Sequence, residues 1–285
     1  MKIFSLVKLM RPHQWIKNLL LLFPPFFAGK LFDPTVSSVV LPSLLSFSLA
    51  ASCSYIVNDI LDVEADRNHA TKKNRAIARG DIPVPFAVVL ALVLYVLAML
   101  ASSSVSRRFE GFLIVYLLIS IAYSIFFKNI VLADIYFISF GFIVRVMAGG
   151  EAFQITVTSW LFLTVFMVSL LLAAGKRLGE LVSVGENAHK QRKILSQYPQ
   201  SYLEGLLWFS ASTSLVMYAL YTLDRRTELI YSVPLAAYGL IRYVYIVKQG
   251  HGDPTEALLF DRQILAVGIL WVFMVGIILY SNVLH

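Results

Sequence analysis

Nine stretches of mostly apolar residues follow one another along this 285-residue chain, at about 14–32, 38–58, 84–104, 109–127, 131–149, 157–174, 202–223, 228–247 and 264–283. Crossing about 30 Å of hydrocarbon takes about 20 such residues in a helix. Between them lie short polar connections and two long ones dense with charge, "NDILDVEADRNHATKKNRAIARGDIP" after the second stretch and "GKRLGELVSVGENAHKQRKILSQYPQ" after the sixth. The pattern predicts an all-α fold, a polytopic membrane bundle of about nine transmembrane helices forming one domain over residues 1–285. The two charged loops, about 59–83 and 175–201, lie on one side of it.

Composition agrees with that reading. Hydrophobic residues make up 58% of the chain and charged ones 14%, against roughly 45–50% apolar in soluble domains, and the mean hydropathy is +0.74. Little chain is left for a separate soluble domain. Lys2, Lys8, Arg11 and Lys17 spread charge too far along the N-terminus for a cleavable signal peptide. The one cysteine, Cys53, falls inside a predicted helix, which excludes disulfides and cysteine metal sites within one chain and makes it a packing residue.

Charge sets the orientation. With nine spans, one face receives the N-terminus and the loops near 59–83, 128–130, 175–201 and 248–263, and it collects 18 of the 24 Lys and Arg residues. Positive loops stay inside, so this face is expected to be cytoplasmic, in a bacterial-type plasma membrane. The net charge of +7 is thereby a topology signal, and no nucleic-acid partner is needed to explain it. Basic loops also suit an anionic lipid or a phosphorylated substrate.

Candidate chemistry concentrates in the first loop. Asn58, Asp62 and Asp66 repeat at i, i+4 and i+8, and Asp59 joins Asp62 and Asp66 at i, i+3 and i+7, so all four side chains share one helical face. Like charges at that spacing oppose one another, and the C-terminal end of a helix disfavours anions. A divalent cation on that face resolves both conflicts. Hard oxygen ligands select Mg²⁺ or Mn²⁺, and Mg²⁺ completes its shell with water and substrate phosphates. The metal set is Asp59, Asp62 and Asp66, with Asn58 beside them. The plainer reading pairs these acids with Arg67, Lys72, Lys73 and Arg75 downstream. Acids followed by cations are also what a phosphate-bearing substrate calls for.

"NDILDVEAD" matches the N-D-x-x-D-x-x-x-D signature of the UbiA superfamily of intramembrane prenyltransferases, and nine helices with that motif after the second resemble the family over nearly the whole chain. In its aromatic prenyltransferases a second aspartate-rich motif follows span six. Here that place reads "GKRLGELVSVGENAHKQRK", without an aspartate, and presents Lys176, Arg177, Glu180, His189, Lys190, Arg192 and Lys193. Its opening "GKRLGEL", together with "LMRPHQWIKNLLLLFPP" and "YSIFFKNIVLADIYFISFGFIVRVMAGG", is similar to the decaprenyl-phosphate phosphoribosyltransferase branch. Ala76 and Arg79 depart from it, standing where Pro and a small residue are usual. The resemblance implies Mg²⁺-dependent transfer of 5-phosphoribose from phosphoribosyl diphosphate (PRPP) to a polyprenyl phosphate lipid. Arg67, Lys73, Arg75, Lys176, Arg177 and Glu180 would face the donor. An aromatic prenyltransferase of the same fold is the alternative, and an ion-coupled transporter the distant one.

Other residues carry weaker signals. Lys17 and Lys128 lie at the cytoplasmic ends of spans, where each meets a phosphate or simply snorkels. Asp134 and Arg145 sit within a span, where ionisable groups are usually functional. They share a face but lie about 16 Å apart along the axis, so Asp134 is expected near the headgroups and Arg145 paired deeper. His13 and His69 have no His partner at ligand spacing, although His69 follows the acidic motif and suits a substrate hydrogen bond. The four tryptophans read as interface or packing residues, and Gly141, Gly149 and Gly150 as points of close helix approach. Asp253, Glu256, Asp261 and Arg262 are expected only to solvate their loop.

Overall fold

The computed structural model describes residues 3–68, 72–184 and 193–281. The elements are α1 (Ile3–Met10), a 3₁₀ segment (Pro12–Leu22), α2 (Phe23–Phe27), α3 (Pro34–Leu61), α4 (Val63–Arg67), α5 (Val84–Ser103), α6 (Arg107–Ile125), α7 (Ala133–Ala152), α8 (Ser159–Val184), α9 (Gln200–Arg225), α10 (Val233–Lys248), α11 (Pro254–Phe260) and α12 (Arg262–Tyr280). Among the described residues, eight helices are long and apolar enough to cross a membrane. The expected all-α polytopic bundle is present, and the protein is an integral membrane protein.

The chain forms two compact units. The first comprises Met1–Pro25, Leu31–Ile130 and Val144–Thr156, the second Phe26–Lys30, Val131–Ile143 and Val157–His285. In the first unit, α5 shows why membrane helices pack as they do. Its buried positions are Ala87, Ala91, Leu94, Ala98 and Ser102, whereas Val89 and Leu92 stand more than half exposed. Small residues let α5 lie close to α3, and the large ones face lipid. The second unit's core gathers Leu170, Leu171, Ala174, Leu203, Leu207, Val244 and Val247 from α8, α9 and α10.

The first apolar stretch, expected as a helix over 14–32, departs from that expectation. It is an 11-residue 3₁₀ segment followed by the five residues of α2. At about 2.0 and 1.5 Å per residue the two pieces still reach about 30 Å, so the stretch retains the length to cross. The tight winding follows from its neighbours. Trp15 Nε1 donates to Ser52 Oγ (3.0 Å) and Asn18 Nδ2 to Ser48 Oγ (3.0 Å). Three residues of 3₁₀ helix and four of α-helix both advance about 6 Å, so Trp15 and Asn18 meet Ser52 and Ser48 in register. Along α7 the same match brings Asn18 to Arg145 and Leu21 to Gly149. A Cβ on Gly149 would lie 2.1 Å from the Leu21 carbonyl oxygen. The close approach expected at Gly149 is real.

Two helices overshoot the hydrocarbon. Twenty-eight residues make α3 about 42 Å long, so its last two turns, with Asn58 and Asp59, reach beyond 30 Å. Helix α8 likewise continues through Val184, so "GKRLGEL" is helical where a loop from residue 175 was expected.

Candidate functional site

At its end α3 stops at Leu61, with Asp62 as the C-cap (φ −95°, ψ 2°), and α4 resumes at Val63. The Asp62 and Asp66 amides still donate to the carbonyls of Asn58 and Asp62, so helical spacing carries through the break, and of the acids only Asp59 and Asp66 converge on one partner. Asp59 and Asp66 are the buried pair, each 3% exposed. Buried carboxylates need positive partners, and two arginines supply them. Arg75 Nη1 donates to Asp59 Oδ1 (3.0 Å) and to Asp66 Oδ2 (2.7 Å), bridging the two. Arg11 Nη2 donates to the same Asp59 oxygen at 2.6 Å, its guanidinium carbon 5.0 Å from the centre of the Tyr55 ring. Asp62 stands apart from the buried pair, accepting from Lys128 Nζ and from the Asn58 amide (3.2 Å). Arg67 pairs with Glu64 at the surface (2.7 Å), and Lys73 is exposed. Lys17 is half-buried on the 3₁₀ segment.

Whether a divalent cation suits these residues can be judged from the oxygens. Among the described residues no three His, Cys, Asp or Glu side chains converge as a ready-made metal cage. Asp59 and Asp66 nevertheless direct one oxygen each at a single point, now held by Arg75 Nη1 at 3.0 and 2.7 Å. Two convergent carboxylates, with the remaining positions left to water and phosphate, match how Mg²⁺ is usually held. The residues fit the group.

Arg145 is buried deeper in this unit (5% exposed). Its Nε donates to Asn18 Oδ1 (2.8 Å) and its Nη2 to Tyr116 Oη (3.1 Å), with the guanidinium carbon 4.4 Å from the centre of the Tyr116 ring. These contacts join α7, the 3₁₀ segment and α6.

In the second unit Asp134, at the start of α7, is fully buried and accepts from Arg177 Nε (2.6 Å) and from the Tyr198 hydroxyl (2.6 Å). The Tyr198 hydroxyl in turn accepts from the Leu132 amide (2.7 Å). Burial first, then the bond to Asp134, pushes the Tyr198 phenol well above its ordinary pKa, so it stays a donor at any working pH. Arg177, also fully buried, extends Nη1 to Glu180 (2.8 Å), whose carboxylate is partly exposed. Asp134, expected near the headgroups, and Arg177, expected to face the donor, thus form an internal ion pair presenting no surface, whereas Lys176 remains 38% exposed while donating to Asp253 at 3.2 Å. Asp253 and Asp261, expected only to solvate their loop, instead cap α11 and α12 through backbone amides, and Asp261 also pairs with Arg242. His69, His189, Lys190 and Arg192 lie outside the described residues, as does the side chain of Lys193.

Sequence reasoning missed Arg11 and Tyr198. Arg11 had a signal: a basic residue directly before Pro12, where the helical pattern breaks. It adopts left-handed backbone (φ 52°, ψ 57°) between α1 and the 3₁₀ segment. Tyr198 had none, since its partners lie 64 residues or more away in sequence.

Residues 22–266 match the model of the UbiA prenyltransferase family. The chain belongs to that family. Among its UbiA relatives, the decaprenyl-phosphate phosphoribosyltransferase of Mycolicibacterium smegmatis is 35% identical, covering 98% of this chain and 93% of the relative. The protein of that name from Mycobacterium tuberculosis is 34% identical over 95% of this chain and 93% of its own length. A solved UbiA homolog from Archaeoglobus fulgidus bound to GPP and Mg²⁺ shares the fold, with a TM-score of 0.73 at 18% identity and coverage of 97% of this chain and 99% of the other.

Proposed function

We propose that this UbiA-family protein transfers 5-phosphoribose from PRPP to a polyprenyl phosphate, releasing pyrophosphate. The observation that carries the reading is the pairing at the end of α3 of two buried carboxylates with Arg11 and Arg75, beside Asp62 with Lys128. A donor rich in phosphate needs both signs of charge in one place. The relatives' names supply the substrate class, and the absence of aspartate from "GKRLGELVSVGENAHKQRK" argues against the aromatic prenyltransferase alternative.

Asp59 and Asp66, with Asp62 and Asn58 beside them, would hold Mg²⁺, which neutralises charge building on a diphosphate leaving group when bound. Arg11, Arg75 and Lys128 donate to phosphate oxygens, as do Arg67 and Lys73 at the exposed rim. Such preorganised donors act most strongly where charge develops in the transition state. A lipid-phosphate oxygen forms the new bond to ribose C1 as the bond from C1 to the diphosphate oxygen breaks. The acceptor is already anionic at neutral pH, so no general base is needed. Its phosphate is placed toward Lys17 or Lys128. In the second unit Lys176 and Glu180 are the candidate donor contacts, with Arg177 and Asp134 orienting Glu180 from beneath. Arg145 holds the 3₁₀ segment that carries Lys17. The distribution of basic residues supports reading these groups as cytoplasmic, in a bacterial-type plasma membrane.

The test is incubation of purified protein and Mg²⁺ with polyprenyl phosphate and labelled PRPP, beside a reaction offering prenyl diphosphate and aromatic acceptors. Label should enter the lipid fraction. Attack opposite the departing diphosphate inverts C1, so NMR of the extracted lipid should show a β-linked ribosyl phosphate. A prenylated ring with no ribosyl lipid would overturn the assignment, and an α-linkage would overturn inversion.

A further inference from the structure

Beneath the exposed rim, the acidic cluster is closed by its own arginines. The Asp59 and Asp66 side chains are 3% and 4% exposed, whereas those of Arg11 and Arg75 are 21% and 24% exposed. Water therefore reaches the guanidiniums more readily than the carboxylates. Arg75 Nη1 holds the one point on which Asp59 and Asp66 converge. Arg11 holds the same Asp59 oxygen from a different part of the chain. Two acids and two arginines give a cluster of zero net charge.

We infer that Arg11 and Arg75 are exchangeable counter-ions that keep the carboxylates closed to a metal until the phosphate donor arrives, which makes metal and donor binding mutually dependent. The inference rests on the function proposed above. A divalent cation entering alone must displace Arg75 from both acids and leaves a net positive cluster, +1 with Arg75 gone and +2 with it still beside the cation, which is unfavourable in a poorly solvated place. A diphosphate arriving alone meets arginines already committed to Asp59 and Asp66. When both bind, the cation takes the carboxylates and the released guanidiniums take phosphate oxygens, a geometry arginine suits in its planar fork. Arg11 is placed for such an exchange. It sits at a junction between two helical segments, in a left-handed conformation that side-chain-bearing residues rarely adopt, and the Tyr55 ring supports its guanidinium.

The coupling is testable without turnover. Mn²⁺ binding to the full chain in detergent, without donor, can be followed by electron paramagnetic resonance in wild type, Arg11→Gln, Arg75→Gln and Asp59→Asn. PRPP binding with Mg²⁺ can be followed by calorimetry on the same proteins. Each arginine variant should bind Mn²⁺ about tenfold more tightly than wild type and PRPP about tenfold more weakly, the change expected for one charge-assisted hydrogen bond. Opposite signs are the signature, because a loosened fold would weaken both, and Arg11→Lys should restore wild-type behaviour in part. Mn²⁺ affinity that is unchanged or weaker in both Gln variants overturns the inference. Mn²⁺ affinity indifferent to Asp59→Asn overturns instead the metal assignment on which the proposed function stands.

Discussion

Replacing Asp134 by leucine would show what the buried pair of the second unit does. The carboxylate accepts from Arg177 and Tyr198, both at 2.6 Å, and neither Asp134 nor Arg177 exposes surface. Removing it leaves Arg177 a buried cation, with its contact to Glu180 lying toward the surface. Breaking one partner of such a pair costs about 3–5 kcal/mol, whereas replacing both partners by apolar groups of similar volume is often neutral. For a chain of this size each kcal/mol moves the unfolding midpoint by about 2–4 °C, so Asp134→Leu should lower it by roughly 6–20 °C. The double variant Asp134→Leu/Arg177→Met should recover most of that. Thermal unfolding followed by tryptophan fluorescence in detergent reads the midpoints, and calorimetry reads PRPP affinity in the double variant. A midpoint unmoved in Asp134→Leu, with PRPP affinity lost in both variants, would refute this reasoning and put the pair at the substrate.

Further outcomes follow from individual contacts. Asp→Asn at 59, 62 or 66 should each lower turnover at least about a hundredfold in the labelled-PRPP assay, the scale of losing a charge-stabilising group; full activity in EDTA would contradict it. Lys176→Ala should weaken PRPP binding by about 1.5–3 kcal/mol on calorimetric titration, and unchanged affinity would leave that lysine to its contact with Asp253. Gly149→Ala would set a Cβ against backbone at Leu21, so a loss of about 1–3 kcal/mol or more is expected from overpacking, read as a lower unfolding midpoint. Asp261 titrates below the ordinary carboxylate range, chiefly through its hydrogen bond from Arg242. Its contribution to stability is therefore complete above the unfolded-chain value near 4 and lost as pH falls through the lower folded value. Asp261→Asn should flatten that part of the midpoint-versus-pH curve; an unaltered curve would mean the pair adds nothing.

Family membership and the membrane fold were legible in the residues because lipid is an unforgiving solvent. It leaves a spanning backbone no partners but its own, so each apolar stretch of sufficient length is a helix candidate before any packing is considered. The acidic face at 58–66 was legible for a similar reason, since helical periodicity is local and α3 and α4 preserve it. What could not be read was which cation each acid meets. Asp59 takes Arg11 from 48 residues away and Asp62 takes Lys128 from 66, while Arg177 turns from the expected substrate to Asp134, 43 residues back. Those choices depend on which helices lie side by side. The 3₁₀ segment is the clearest case: its composition reads as an ordinary apolar helix, and its winding matches partners spaced about 6 Å apart, two serines on α3 and Arg145 and Gly149 on α7. Local pattern decides where a helix can exist in lipid. Only the tertiary arrangement decides which buried charges find one another, because a buried charge is stabilised by whatever the fold brings within about 3 Å of it.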